Sequence, residues 1–294
     1  MTFNDNANIG SGKARKRGRT TGIAVGGGGV GVIALFLLSQ LLGVDLSGLL
    51  GSAGTEQSAS EGSSLDECLT GADANADVDC RMKGAAATLD TYWTEALPAI
   101  GTAYSSPQPI ALFTDAATTG CGSASSSTGP FYCPPDQTIY IDTAFFDELR
   151  TRFGSSGGPL AEMYVVAHEW GHHVQNLTGV LASAQDGQTG AASNSVRTEL
   201  QADCYAGAWT AAASTTRDDA GVAFLKPVTD AQIADALSAA SAVGDDRIQQ
   251  SAQGSVNPEA WTHGSSDQRQ KWFMTGYNGG AGACDTFAPS AAAL

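Results

Sequence analysis

The spacing of two histidines and a glutamate in this chain is typical of sites that carry out metal-assisted hydrolysis. His168, Glu169 and His172 form the pattern H-E-x-x-H. On a helix, residues four apart lie one turn above each other, so both imidazoles can bind one cation, with Glu169 about 100° around the axis. Zn²⁺ accepts imidazole ligands at roughly 2.0 to 2.1 Å, and a neighbouring carboxylate can take the proton of a zinc-bound water. In a chain with four histidines and nine glutamates, the expected number of chance matches is on the order of 10⁻³.

The segment around this pattern has the periodicity of a buried helix. Apolar residues recur mainly at steps of three and four from Met163 to Leu177, beside the histidine face. Pro159 suits a first helical turn, and Gly179 suits a C-terminal stop. We therefore predict a helix from residue 159 to residue 178.

A catalytic zinc site needs a third protein ligand, which H-E-x-x-H does not supply. Glu199 is the best candidate, on a second predicted helix over residues 194–213. Glu199 and Asp203 stack at i, i+4, where two like charges destabilise a helix by a few tenths of a kcal/mol unless a cation lies nearby. We predict that Glu199 is the third ligand and that Asp203 accepts the ring N–H of His168 or His172. The alternative is a solvated acidic face.

Four further side chains are candidates for supporting roles. His173 lies about 100° from the metal face, which favours a helix-surface residue or one that supports a ligand. His263 is a candidate catalytic residue, because it precedes a predicted helix and can polarise a carbonyl or hold an oxyanion; the alternative is a histidine that bonds locally in a turn. Tyr132 and Tyr140 are candidate substrate contacts or core aromatics. The strand at Tyr140 can also accept an extended substrate as an added strand.

The elements that position these residues are mostly helical. Residues 109–114 and 138–142 are rich in β-branched and aromatic residues and are bounded by turns, which predicts two strands. Apolar periodicity predicts a helix from Met82 to Pro98. Capping boxes at Thr229 and Ser265 predict the starts of two more helices. The pattern predicts an α+β fold class, with a mostly helical catalytic domain and a small sheet.

The six cysteines are even in number and all follow the N-terminal apolar run. Six cysteines allow 15 connectivities, of which the two short sequence separations favour two local bridges and leave a third pair. The predicted pairs are Cys68 with Cys80, Cys121 with Cys133, and Cys204 with Cys284. Such bridges indicate an oxidising compartment. Thiolate metal ligation is the weaker alternative, because the chain has no C-x-x-C spacing.

Charge is distributed unevenly along the chain. The formal net charge is −15. Five basic residues and one acidic residue give residues 1–22 a charge of +4, so the remainder carries −19. An acidic domain of this kind repels phosphates, which argues against nucleic-acid binding.

An uncharged run from Ile23 to Val44 is long enough to cross roughly 30 Å of hydrocarbon. We predict a disordered cytoplasmic basic tail over residues 1–22, a transmembrane anchor over 23–44, a flexible Gly/Ser linker over 45–64 and a catalytic domain over 65–294. The basic residues place the N-terminus in the cytoplasm and the catalytic domain outside it. The alternative is a cleaved signal peptide, but the run is long for one and no clear A-x-A site follows it.

Several segments resemble the bacterial putative neutral zinc metallopeptidase family. They lie between about residues 80 and 287 and cover residues 121–124, 129–134, 199–204, 244–247, 262–266 and 284–287. The basic tail, glycine-rich run and linker also look like the family's N-terminus. H-E-x-x-H followed by E-x-x-x-D is similar to the gluzincin metallopeptidases, whose third zinc ligand is a glutamate on a second helix. The resemblance implies a membrane-anchored, zincin-like α+β domain and gives no substrate.

These features predict a membrane-anchored zinc metallopeptidase that hydrolyses peptides or proteins outside the cytoplasm. Two alternatives are a zinc-binding envelope protein without turnover, which docks a partner, and a zinc amidase acting on cell-wall peptides. A purely structural zinc site needs neither a general base nor an open position. The presence of Glu169 therefore favours an enzyme.

Overall fold

Apolar strands and capped helices build the folded part of the chain. The computed structural model describes residues 2–17 and 63–294. Its strands are β1 (Ala14–Lys16), β2 (Ser63–Ser64), β3 (Ile110–Phe113), β4 (Ala116–Thr119), β5 (Gly122–Ser125), β6 (Phe131–Cys133) and β7 (Thr138–Asp142). Its α-helices are α1 (Gly71–Ala76), α2 (Val78–Ala99), α3 (Phe145–Thr151), α4 (Pro159–Thr178), α5 (Val180–Ala184), α6 (Asn194–Ala212), α7 (Asp230–Ala242), α8 (Asp245–Gln253) and α9 (Ser266–Gly279). The predicted α+β class is confirmed.

The main sheet has the strand order β2-β1-β3-β7-β6. Its three inner strands are parallel, and each edge strand is antiparallel to its neighbour. Strands β3 and β7 are buried along their whole length, as expected for apolar strands at the centre of a sheet. Both strands were predicted. The separate β4–β5 hairpin was not, because its small polar residues do not show an apolar alternation.

Helix α4 has the predicted start and stop, with Pro159 in its first turn and Gly179 at its end in the left-handed region (φ 79°). It packs against α6. Gly171 permits a close approach there, since a Cβ at this position would lie 2.9 Å from the Cα of Ala202. Helix α9 packs against the opposite part of α6, where a Cβ at Gly276 would lie 1.8 Å from the carbonyl oxygen of Cys204. Helix α6 is therefore held between two neighbours.

Three disulfides staple the domain, and their pairing is the one predicted from spacing. They join Cys68 to Cys80, Cys121 to Cys133, and Cys204 to Cys284. The third links α6 to the C-terminal segment. The amide of Gln201 on the same helix donates a 2.8 Å hydrogen bond to the carbonyl of Cys284.

Residues 2–17 are part of the same folded unit as residues 63–294. Phe3 and Ile9 are 0 % exposed, and β1 lies between β2 and β3. The Lys16 ammonium lies 2.7 Å from the carboxylate of Asp79 on α2. The prediction of a disordered tail over residues 1–22 is therefore incorrect for residues 2–17. Apolar side chains of this segment fill the core, and its half-exposed Lys16 side chain pairs with Asp79.

The predicted transmembrane anchor over residues 23–44 lies outside the described residues, as does most of the predicted linker over 45–64. Within residues 2–17 and 63–294, no helix is both long enough and apolar enough to span a membrane. Two linker residues, Ser63 and Ser64, form β2.

Candidate metal centre

Helices α4 and α6 bring three predicted metal ligands together. One ligand atom from each of His168, His172 and Glu199 lies within 4.8 Å of the other two. The Nε2 atom of His168 is 3.1 Å from Oε2 of Glu199, and the Nε2 atom of His172 is 3.5 Å from Oε1. The structure thus places two imidazole nitrogens and one carboxylate around a common point.

The outer ring nitrogen of each imidazole has its own acceptor. Nδ1 of His168 lies 2.8 Å from Oδ1 of Asp203, and Nδ1 of His172 lies 2.8 Å from Oε1 of Gln175. The Gln175 amide is oriented by its nitrogen, which donates to the backbone oxygen of Thr198 at 2.7 Å. We assign the imidazole protons to Nδ1 on the basis of these contacts. Sequence analysis identified Asp203 but not Gln175.

This proton assignment makes the centre suitable for a cation. With Nδ1 protonated, each Nε2 is an acceptor that faces the Glu199 carboxylate, which is also an acceptor. Acceptors in such contact repel each other unless a proton or a metal ion lies between them. Two imidazole nitrogens and one carboxylate oxygen also match the donor set of a catalytic zinc site. The residues present therefore fit a zinc ion.

A fully buried ion pair supports the His168 side of the centre. Arg269 on α9 donates to Asp203 from Nε at 2.8 Å and from Nη2 at 3.0 Å. The Tyr164 hydroxyl donates to Asp203 Oδ1. Asp203 is 0 % exposed and Arg269 is 3 % exposed. No local sequence pattern indicates Arg269 or Tyr164, because each reaches Asp203 from a different helix.

The buried charges favour added positive charge. Burial raises the pKa of Asp203, but the Arg269 guanidinium and His168 lower it by more, so the pKa lies below its usual value. Burial lowers the pKa of His168, but the Asp203 and Glu199 carboxylates raise it to about 10. If a metal ion replaced the proton that this pKa implies, the imidazoles would be neutral, and the charges of Glu169, Glu199, Asp203 and Arg269 would sum to −2. A divalent cation would balance them.

Glu169 faces a cleft beside the three ligand atoms. Its side chain is buried, and among the described residues none donates a hydrogen bond to its carboxylate. Burial raises the pKa of Glu169, an effect that His172 and His168 partly oppose. The three predicted ligands and Glu169 all line one cavity of about 530 Å³. A raised pKa and an unengaged carboxylate are properties of a general base.

His263 lines the same cavity and is held by Asp245 at the start of α8. Its Nδ1 lies 3.2 Å from Asp245 Oδ1, while the backbone N–H groups of Thr262, His263 and Gly264 donate to Oδ2 at 2.7 to 3.0 Å. Burial lowers the pKa of His263, but Asp245 raises it above the usual value. Sequence analysis identified His263 and missed Asp245, whose contact with it depends on the fold between residues 245 and 263.

The other predicted candidates lie outside the ligand cluster. His173 is completely buried, with Nε2 2.7 Å from the carbonyl of Ser105 and Nδ1 3.0 Å from the Tyr132 hydroxyl. The prediction of a helix-surface position for His173 is wrong. The Tyr132 hydroxyl also accepts a hydrogen bond from Asn176, and burial raises the pKa of Tyr132 to about 12. His173 and Tyr132 thus join α4 to β6.

Tyr140 does not lie on a free strand edge. Its strand, β7, pairs with β3 on one side and β6 on the other. Its hydroxyl donates to Asp136 at 2.7 Å. The prediction of an added substrate strand at β7 is therefore wrong, because both edges of β7 are already hydrogen-bonded.

The chain is similar to a described family and to several bacterial proteins. Residues 3–287 match the sequence profile of a family described as putative neutral zinc metallopeptidase. Proteins of Mycobacterium tuberculosis and Mycobacterium bovis are each 55% identical over 253 residues, which is 85% of either chain. The YpfJ protein of Escherichia coli K12 is 38% identical over 271 residues, covering 90% of this chain and 88% of that one. These three relatives are described as uncharacterized, and no solved structure matches. The chain belongs to the putative neutral zinc metallopeptidase family.

Proposed function

We propose that this protein is a zinc-dependent peptidase that hydrolyses peptide bonds in the cavity lined by His168, Glu169, His172 and Glu199. His168, His172 and Glu199 would hold the zinc. The observation that carries the proposal is the arrangement of three acceptor atoms within 4.8 Å, with both Nδ1 atoms engaged by separate acceptors. When bound, zinc would lower the pKa of a water toward 7 and polarise a carbonyl.

Glu169 is the proposed general base. It follows His168 directly on α4 and faces the cavity that a substrate must enter. Its carboxylate accepts the proton of the attacking water and returns it to the leaving amine. Its raised pKa makes it a better base than an exposed glutamate, and its lack of a hydrogen-bond donor among the described residues leaves it free for this role.

His263 is proposed to stabilise negative charge on the scissile carbonyl oxygen. Asp245 holds its Nδ1, which directs the other ring nitrogen toward the cavity side. The same carboxylate favours the protonated ring, so His263 can donate a hydrogen bond to a developing oxyanion. Asp245 is a positioning residue in this account.

An extended substrate is proposed to bind along β6. In the described part of the chain, no strand pairs with the outer edge of β6. Phe131 and Tyr132 of this strand line the cavity that contains the metal centre. A peptide that runs along β6 would lie beside Phe131 and Tyr132 and within reach of the zinc ligands.

The peptidase is also proposed to act outside the cytoplasm. Three disulfides in a single domain are typical of proteins in oxidising compartments. The uncharged run over residues 23–44 supports a contact with a membrane.

Glu169→Gln tests the proposed function. Loss of the general base should lower kcat by at least about 10²-fold, while one zinc per chain remains bound. Glu95→Gln is a matched control, because Glu95 is exposed on α2 and away from the cavity. A diverse peptide pool and cell-wall peptides, each with and without chelator, would distinguish a peptidase from an amidase. Full activity in Glu169→Gln would contradict the assignment of the base, and zinc binding without cleavage of any substrate would favour a binding protein.

A further inference from the structure

The cavity extends from the metal centre into an apolar pocket between helices. One wall comes from α3 and the residues after it, through Phe145, Leu149 and Phe153. Another part of its lining comes from Val243 after α7 and Ile248 on α8. We name these five residues the apolar pocket.

Helix α4 connects the apolar pocket to the catalytic residues. Val165 lines the cavity one turn before Glu169, so its side chain lies on the same side of the helix. A substrate with its scissile bond beside Glu169 therefore has an adjacent side chain within reach of the pocket.

Few charges are available to a substrate side chain in this pocket. Arg269 lines the cavity, but its guanidinium is engaged by the buried Asp203 carboxylate. Glu148 also lines it, but its side chain is 41% exposed and lies 3.9 Å from Arg152. His168, Glu169, His172, Glu199 and His263 also line the cavity, but they belong to the metal centre and not to the apolar pocket. A charged substrate side chain in the apolar pocket would therefore lose its hydration without gaining a buried partner of opposite charge.

On the basis of the proposed peptidase function, we propose that the apolar pocket selects a large apolar side chain next to the scissile bond. Leucine, methionine and phenylalanine have the chemistry that the pocket recognises. Burial of such a side chain contributes about 1.5 to 3 kcal/mol, which corresponds to roughly 10- to 150-fold in binding or in kcat/KM.

Peptides that differ at one position test this assignment. The series carries phenylalanine, leucine, aspartate or lysine on either side of a cleaved bond. We expect the apolar peptides to exceed the charged ones by roughly 10-fold or more in kcat/KM. The same series is titrated against zinc-loaded Glu169→Gln, in which affinity is measured without turnover.

Val243→Lys provides a change of specificity. Val243 is half-buried, so a lysine there can direct its ammonium into the cavity. The preference should shift from phenylalanine toward aspartate. Val256→Lys is the matched control, because Val256 is 43% exposed and does not line this cavity; its preference should match that of the unaltered protein. If Val243→Lys fails to fold, Phe153→Ala serves as a second variant. It removes part of the apolar pocket and should reduce the preference for phenylalanine.

The outcomes separate this inference from the proposed function. Equal binding and equal cleavage of charged and apolar peptides would overturn the pocket assignment and leave the peptidase function intact. Preferential binding of apolar peptides without cleavage by the unaltered protein would overturn the peptidase function and support the pocket.

A second inference concerns the compartment of the N-terminal segment. Strand β1 pairs through Lys16 with Ser63 on one side and with Leu112 on the other. The chain therefore leaves the sheet after β1 and returns at the adjacent strand β2. A segment whose two ends belong to one sheet crosses a membrane an even number of times or not at all.

We infer that residues 2–17 and 63–294 occupy the same compartment. The uncharged run from Ile23 to Val44 has the length of one helical crossing. A single crossing would place β1 and β3 on opposite sides of the membrane, where they cannot pair. The burial of Phe3 and Ile9 in the same core supports this inference independently of the strands.

Labelling of single added cysteines tests the shared compartment. Asn6→Cys and Asp219→Cys place thiols at exposed positions in the N-terminal segment and in the remainder of the domain. Intact cells are treated with a membrane-impermeant maleimide, with a cytoplasmic protein as the lysis control. Equal labelling relative to permeabilised cells supports the inference, and labelling of Asp219→Cys alone overturns it. For variants that fail to accumulate, a protease-accessible tag fused to each terminus provides the same comparison.

Discussion

The metal centre and the N-terminal segment differ in how far along the chain their partners lie. His168 and His172 lie one turn apart on α4, and the proposed third ligand, Glu199, comes from the next long helix, α6. By contrast, β1 pairs with β3, and Phe3 forms a bridge with Leu225. Only the first arrangement leaves a periodic pattern in the sequence.

This difference explains why the buried metal centre could be predicted from the sequence, whereas the burial of residues 2–17 could not. The spacing of two ligands follows from the geometry of one helix. The fate of residues 2–17 depends on surfaces created by residues far along the chain, and their basic charge resembles that of a solvated tail. The amino-acid composition of a segment is compatible with more than one environment, whereas contacts with distant residues determine where the segment packs.

The largest expected effect tests whether the N-terminal segment is a core element. The double variant Phe3→Ala/Ile9→Ala removes two completely buried side chains. We expect the free energy of unfolding to fall by about 5 kcal/mol or more. Chemical denaturation of the disulfide-intact protein measures this, with Leu69→Ala, an exposed apolar residue, as control. A change below about 1 kcal/mol would mean that residues 2–17 are dispensable for folding.

The next effect tests the buried ion pair behind the metal centre. Arg269→Met leaves the Asp203 carboxylate buried without its guanidinium partner. Removal of one partner of such a pair should destabilise the protein by about 3 to 5 kcal/mol. Arg217→Met changes an exposed arginine and should alter stability by no more than about 0.5 kcal/mol. Equal denaturation midpoints for the two variants would contradict the role of Arg269.

A smaller effect is expected on metal affinity. Asp203→Asn removes the charge that holds the Nδ1 proton of His168, so zinc affinity should fall by roughly 10- to 100-fold. Competition with a chelator of known affinity measures the loss. Asp219→Asn, an exposed aspartate, should bind zinc as the unaltered protein does. Equal zinc affinity in the two variants would show that Asp203 does not strengthen zinc binding by His168.

The protonation of His263 gives a pH-dependent prediction. Asp245 raises the pKa of His263 above its unfolded value, so this pair stabilises the fold fully below the unfolded pKa. That contribution is lost as pH rises through the folded pKa. Asp245→Asn should lower the pKa of His263, because burial and Arg269 still lower it while Glu199 alone is left to raise it. NMR titration of the imidazole tests this direction; an unchanged or higher pKa would show that Asp245 does not control the ring.

The smallest effect returns to the N-terminal segment. The Lys16–Asp79 pair is half exposed on the lysine side, so Lys16→Ala should change stability by less than about 1 kcal/mol. Increased salt should reduce the contribution further. Thermal denaturation at low and high salt measures this. A loss as large as that of the Phe3/Ile9 variant would show that charge, and not apolar burial, holds the segment.

Sequence analysis predicted the parts of the site that depend on local spacing. The bounds of α4, the capping boxes of α7 and α9, and the disulfide pairs all follow from patterns within short stretches or from few alternatives. The predicted ligands His168, His172 and Glu199 lie close together in the structure, and their role in zinc binding stays a prediction.

The parts that escaped prediction depend on contacts between elements. Asp203 was expected to support either histidine, and the fold assigns it to His168 and gives His172 to Gln175. Arg269 and Asp245 reach the site only because α9 and α8 pack beside it. Strand β6, with three residues, is too short to show an alternation, yet two of its residues, Phe131 and Tyr132, line the cavity.

The most direct test of the metal centre is zinc K-edge X-ray absorption on the purified chain and on Glu199→Ala. The unaltered protein should bind one zinc with two imidazole nitrogens at roughly 2.0 to 2.1 Å and a carboxylate oxygen. Glu199→Ala should lose the oxygen ligand and release zinc to a mild chelator. Unchanged zinc content and unchanged coordination in Glu199→Ala would contradict a centre built from α4 and α6.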